Sequence, residues 1–345
     1  MRTLLSGGAL GYGAMLPSVS ELAHEHGVSR YIAHRALQTL EEEGLFRAVP
    51  KVGSFTAKAE AMLTHVVLTD DRAPHPYRRE IQLGFDSRIA AHGGVAVSWE
   101  ESHGEAWREL PLSGAFLLDT RERVEARAMG ENVPMVRIGS SWRDGERFDL
   151  VSFSDEDGGA LATRHLLERG LKSIAFLGLH VPTLPDSAKK WSQEREQGWR
   201  RSLREAGLPF HGLAFWPDHE ESSDAEGARC LGRAFARTLI ARGDVRGVVA
   251  ANDAVALGLL EGLREARVAR RDWPALVAFD NSEAARRHNI TSLHLPWDEL
   301  GREAADLLWS RATGTLPGEP QHRAVPMRLI PRLSCHHKWP ALTAL

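Results

Sequence analysis

Residues 16–55 read LPSVSELAHEHGVSRYIAHRALQTLEEEGLFRAVPKVGSF, two short helical patterns followed by a hairpin pattern. Ser18 is a favoured N-cap, and Glu21 three residues on completes a capping box, so a helix starts there. Gly27 stops it, and Ser29 caps a second helix. On a wheel of roughly 100° per residue, Ile32, Ala33, Ala36, Leu37 and Leu40 share one apolar face, directed at a core. Arg30, Tyr31, His34, Arg35 and Gln38 occupy the opposite face and supply donors for base edges and phosphates in a major groove. Glu41, Glu42 and Glu43 lie at the far end, where repulsion from phosphate costs least. After Gly44, residues 45–47 and 54–56 form a hairpin whose tip, Pro50-Lys51-Val52-Gly53, is basic. The plainer alternative is a small helical hairpin that contacts protein.

The landmarks LPS (16–18), ELA (21–23), GVSR (27–30), RAL (35–37), LE..GL (40–45) and G.F (53–55) resemble the winged-helix domain of GntR-type repressors. The resemblance implies that Ser18, Ser29, Arg30, Tyr31, His34, Arg35, Gln38, Lys51 and Gly53 face operator DNA. Such domains carry a full helix before the LPS motif, whereas here Leu4 and Leu5 precede a glycine-rich stretch, so either the chain starts late, the favoured reading, or the domain has lost part of its core. The run SGGALGYG (6–13) lacks the preceding strand and the lysine of a phosphate-cradling loop.

With 345 residues, 43% hydrophobic and 26% charged, the chain has room for two or three ordinary soluble domains. No apolar run reaches the length of a membrane span and no signal-peptide core opens the sequence, so a cytoplasmic protein without membrane contact is expected. Cys230 and Cys335 form neither a disulfide framework nor a zinc site. The net charge of -3 does not favour nucleic acid, and residues 1–60 hold six basic and six acidic side chains. DNA binding would therefore rest on segregating charge onto the second helix and the wing. One such head should bind weakly and in a salt-sensitive manner, which points to a homodimer.

Residues 1–57 thus form the head and 58–64 a linker, with a second domain over 65–335 and a tail over 336–345. From His65 short apolar strands alternate with helices: strands at 65–70, 94–100, 114–119, 133–139, 150–154, 173–179, 246–251, 275–280, 290–295 and 327–333. The helices fall at 78–92, 122–131, 155–169, 188–206, 224–241, 254–266 and 297–311. That alternation predicts an α/β fold of parallel sheets flanked by helices. FSDEDGGALATRHLLERGLKSIAFLG (153–178), Arg195-Glu-Gln-Gly198-Trp199, Ala251-Asn252-Asp253 with Ala256-Leu257-Gly258, Phe279-Asp280-Asn281 and TSLHLPWDELGREAADLL (291–308) resemble LacI/GalR-type sensors. The resemblance implies a periplasmic-binding-protein-like fold with lobes of about 65–153 plus 293–318 and 154–290 plus 322–335. It also implies Arg195, Asn252 and Asp280 as effector contacts, with Asp70 as a further one. A carboxylate, an amide and a guanidinium beyond the carboxyl ends of parallel strands suit vicinal hydroxyls.

Two positions depart from the family pattern. Gly139 stands where many members have an aspartate at a strand end, and His75-Pro76-Tyr77-Arg78 replaces their usual Asn-Pro-Phe-Phe. Of the remaining features, His24, Glu25, His26 and His34 read as a solvated face and Cys335-His336-His337 as surface. Asp155-Glu156-Asp157 reads as first-turn acids favoured by the helix dipole. Trp107, Trp142, Trp191, Trp216 and Trp297 serve either packing or stacking. No nucleophile elbow or Ser-His-Asp set is present, so an enzyme, a metal and a cofactor are not expected. The chain reads as a DNA-binding transcriptional repressor, of the arrangement found in arabinose-type repressors, controlled by a small effector, most plausibly a sugar, held between two lobes. The alternatives are a solute-binding protein for sugar transport and a regulator whose effector site is degenerate.

Overall fold

The computed structural model describes residues 16–42, 46–49, 53–56, 64–68, 77–99, 113–117, 133–139, 148–179, 190–217 and 225–336. Elements are numbered in chain order among these residues. The N-terminal elements are α1 (Val19–Glu25), α2 (Arg30–Glu42), β1 (Phe46–Val49) and β2 (Gly53–Thr56). Ser18 caps α1 in a complete capping box: its amide donates to Glu21 at 2.7 Å and its hydroxyl accepts from the Glu21 amide at 3.3 Å. Ser29 accepts from the Ile32 amide and opens α2. Leu16, Leu22, Ala23, Ala33, Leu37 and Leu40 form the small core. β1 and β2 pair antiparallel, Phe46 opposite Thr56 and Val49 opposite Gly53. Glu41 accepts from the Ala48 amide at 2.9 Å, so this carboxylate braces the hairpin. The apolar face of α2 is narrower than the sequence predicts: Ala33, Leu37 and Leu40 are buried, whereas Ile32 is 55% exposed and Ala36 is exposed. The first-helix region, residues 1–15, and the predicted helix at 122–131 lie outside the described residues.

The rest of the chain builds two six-stranded sheets. The first comprises β3 (Thr64–Leu68), β4 (Val95–Trp99), β5 (Gly114–Leu117), β6 (Met135–Ile138), β7 (Asp149–Phe153) and β13 (His322–Val325), in the order β13-β7-β6-β5-β3-β4. Strands β3 to β7 are parallel. Helices α3 (Arg78–Ala91) and α9 (Trp297–Ala312) belong to this unit. Arg311 of α9 chelates the buried Asp149 carboxylate at 2.8 and 2.9 Å, and Asp149 also accepts the Gln321 amide. The returning chain is thereby fixed beside β7.

The second sheet comprises β8 (Ile174–Leu177), β9 (Ala214–Phe215), β10 (Gly247–Ala250), β11 (Ala275–Phe279), β12 (Thr291–His294) and β14 (Arg328–Ile330). Its order is β14-β12-β11-β10-β8-β9, parallel except for β14. Its helices are α4 (Asp155–Leu167), α5 (Trp191–Glu205), α6 (Ala225–Arg242), α7 (Asp253–Glu265) and α8 (Glu283–Arg287). β12 pairs with β11 and β14, so the chain leaves this unit after Pro296 rather than near 290 as the sequence suggested. Cys335 is fully buried, not on the surface as read from the sequence, and its thiol reaches the Arg332 carbonyl.

Helices α4 and α5 touch backbone to backbone. A methyl group on Gly159 would overlap the Arg195 carbonyl, and one on Gly198 would overlap the Glu156 carbonyl. Gly84 with Gly301 (α3 and α9) and Gly232 with Gly258 (α6 and α7) repeat the device. Because neither backbone can yield without moving a helix, Gly198→Ala should destabilise the protein by about 1–3 kcal/mol, the usual cost of overpacking. Thermal and denaturant unfolding of the full chain would measure it, and an unchanged midpoint would contradict the close crossing.

Candidate functional site

The sheet register places the candidate side chains. Val249 of β10 lies opposite Val277 of β11, so three residues on in each strand Asn252 and Asp280 leave the sheet at the same level, at its carboxyl edge. Asn252 is the N-cap of α7, and its amide oxygen accepts from the Val255 amide at 2.9 Å. That oxygen is committed to the helix, and the side-chain NH2 is the part left to meet a ligand.

Arg195 is buried, 3% exposed, in the second turn of α5. Its Nε donates to Asp155 at 2.7 Å and its Nη1 to the Ala251 carbonyl at 2.6 Å. The guanidinium lies between the rings of Trp191 and Phe279, 4.5 and 4.1 Å from their centroids. One side chain therefore joins the start of α4 to the ends of β10 and β11. Asp155, read from the sequence as a first-turn acid favoured by the helix dipole, does stand in that turn and is also the buried ion-pair partner of Arg195. Glu156 and Asp157 turn outward to Arg201.

Asp280 and Asn281 both have positive φ, 102° and 53°, a costly backbone for residues with a Cβ. The surroundings overdetermine the turn. The Asp280 amide donates to the Leu293 carbonyl and the Asn281 amide to Ser292 Oγ, each at 2.9 Å. Arg332 holds the Asn281 side chain, while Asp253 accepts from the Ser282 amide and the Ser292 hydroxyl at 2.7 Å each. Asp253, buried at 2% exposure, is the residue that the sequence reading missed. It stands next to Asn252 in the same Ala-Asn-Asp motif, and its role appears only when Ser292, thirty-nine residues away, is brought alongside it.

Acid groups outnumber bases at this edge. Burial, and then the charge of Asp253, push the Asp280 carboxyl up to about 8, against the pull of Arg195. Burial and then Asp155 push Glu194 up to about 7. The rise brings Asp280 into the range where a carboxyl can carry a proton and so donate as well as accept. Asp70, the remaining predicted contact, lies outside the described residues. Trp216 packs over Gly178 and donates to Glu196, and Trp297 stacks on Tyr77 at 4.5 Å, so both have packing roles. Trp107 and Trp142 are outside the described residues.

In the N-terminal head, Arg30, Tyr31, His34, Arg35 and Gln38 are all exposed on α2, with Tyr31 at 68%. Ser18 and Ser29 sit at the two helix starts, and Gly53 opens β2 opposite Val49. Lys51, at the predicted tip, lies outside the described residues.

A raised carboxyl carries a definite pH signature. Unfolded, Asp280 ionises near 3.8; folded, it keeps its proton to about 8. The native state binds more protons across that window, so this group lowers stability as pH rises through it. Asp280→Asn lacks the titration. Its melting temperature should gain on that of the parent steadily from pH 4 to pH 8 and level off beyond, and a flat difference would contradict the raised carboxyl.

The comparisons with known proteins cover both parts of the chain. Residues 163–335 match the periplasmic binding protein-like domain, and residues 1–56 match the bacterial regulatory proteins of the gntR family. The HTH-type transcriptional repressor PurR of Actinobacillus pleuropneumoniae is 27% identical over 185 residues, 53% of this chain and 51% of that protein. PurR of Vibrio parahaemolyticus is 30% identical over 173 residues, 49% of this chain and 47% of that protein. The chain thus spans about half the length of the curated relatives it matches. Among solved structures, a LacI family regulator from Enterococcus faecium with bound ribose aligns with a TM-score of 0.59 at 22% identity, over 79% of this chain and 98% of that one. A CelR–cellobiose complex aligns with a TM-score of 0.61 at 24% identity, over 92% and 100%. With the sheet order, the matched domain and the head in agreement, the chain belongs to the periplasmic binding protein-like family and carries a gntR-family helix-turn-helix segment at its N-terminus.

Proposed function

We propose that this protein is a transcriptional repressor that binds operator DNA through its winged head and answers to a small polyhydroxylated effector held at the carboxyl edge of the second sheet. The observation that carries the reading is the junction at Arg195, Asn252 and Asp280, where a guanidinium covered by two rings lies beside an amide and a carboxyl that leave neighbouring strand ends at the same level. Donors and acceptors set beside aromatic faces suit the hydroxyls and C–H surfaces of a monosaccharide or a close derivative. Asp70 completes the proposed contact set. A transport role has no use for an exposed helix face bearing Arg30, His34 and Arg35, so the regulator is the better reading. As a homodimer the protein would set two heads on a pseudo-palindromic site.

Two measurements test this. In fluorescence-anisotropy titrations against DNA selected by the full chain, Arg35→Ala should cost about 1–3 kcal/mol at the base it reads. Arg30→Ala should weaken all sequences alike, as loss of a phosphate contact does. If neither variant differs from the parent, α2 does not read DNA.

For the effector, thermal shift over pentoses, hexoses, sugar phosphates and nucleosides should yield a stabilising compound. Asp280→Ala should weaken its binding about two- to tenfold, since a hydrogen bond of a neutral group contributes about 0.5–1.5 kcal/mol. Arg195→Ala is the poorer variant, because it strands Asp155 in the core. A panel without any hit, or a hit that Asp280→Ala leaves intact, overturns the effector site.

A further inference from the structure

The amphipathic pattern of α2 predicts a core face that includes Ile32 and Ala36, and the structure leaves both outside it. The buried residues Ala33, Leu37 and Leu40 fall within roughly 60° of the wheel, and Ile32 lies about 80° beyond the edge of that stripe. Ile32 and Ala36 are one turn apart and so lie one above the other. Among the described residues the large exposed hydrophobic side chains are Val28, Tyr31, Ile32, Leu83, Ile240 and Leu333, and three of these six fall between 28 and 32. A single exposed apolar residue needs no explanation, but three within five residues at the turn and start of α2 do.

Its neighbours limit what can cover it. Arg35 adjoins Ile32 on the wheel, Arg30 and His34 lie about 160° further round the helix, and no acidic residue occurs in α2 before Glu41. A polyanion suits this surface, and the apolar groups that B-DNA offers in its major groove are the 5-methyl groups of thymine. We propose that Ile32, with Ala36 one turn on, packs against thymine methyl groups and so sets a base preference separate from the hydrogen bonds of Arg35. This rests on the reading of α2 as the DNA-reading helix.

The test removes the methyl group rather than the protein. DNA enriched from a random library by the full chain is resynthesised with deoxyuridine in place of thymidine, one position at a time, and binding is followed by anisotropy. Loss of a buried methyl group is worth about 0.8 kcal/mol, so at the contacted position the parent should bind about fourfold more weakly to deoxyuridine. Ile32→Ala should bind the two DNAs equally, with an unchanged melting temperature. If no sequence is enriched, the DNA reading falls and the proposal with it. If enrichment succeeds but no deoxyuridine weakens the parent, the proposal alone is overturned. It is likewise overturned if Ile32→Ala keeps the discrimination, whether that variant melts lower, which assigns the side chain to the core, or alters the sedimentation of the protein, which assigns it to a protein contact.

Discussion

The buried guanidinium of Arg195 is the interaction on which the carboxyl edge of the second sheet depends. A buried cation is stable only if every donor finds a partner. Arg195 meets part of that demand with the Asp155 carboxylate and the Ala251 carbonyl, while two aromatic faces, from α5 itself and from the end of β11, cover the plane of its guanidinium. It reaches them because α5 lies on α4 with no side chain between the backbones at Gly159 and Gly198. Close packing here decides where a charge can be placed.

The same edge shows how strain is held. Two consecutive residues of positive φ follow β11, and five hydrogen bonds, two of them to Asp253, fix them. Such backbone persists only where the surroundings leave no alternative. The loop is therefore preorganised, and a ligand meeting Asp280 does not have to order it.

The order of elements was legible in the sequence because parallel strands buried on both faces are short apolar runs, and runs such as 174–177, 247–250 and 275–279 stand out against charged helices. The capping box at Ser18 and Glu21 is a local device and reads locally. What misled was non-local. Ile32 has the periodicity of a core residue, yet the head's small core covers only Ala33, Leu37 and Leu40 on that helix. Asp155 has the position of a dipole-favoured acid, but its partner is forty residues away. Asp253 is silent until β12 brings Ser292 to it, and Cys335 looked like tail because its cover comes from the sheet beside β11 and β12. In the candidate site, sequence position identified which residues leave the strand ends. Only the register of β10 on β11 set Asn252 and Asp280 side by side.

The passage of the chain from one sheet to the other and back bears on how it is made. The first sheet takes its outer strand, β13, from residues 322–325, and the second takes β14 from residues 328–330. Neither sheet is complete until the ribosome has added almost the last of the described residues. During synthesis β7 and β12 each wait with an open edge, β7 for a partner some 170 residues downstream and β12 for one about 35 downstream. Until then each unfinished edge is open to pairing with another chain, and a chain cut before residue 322 would lack both β13 and β14.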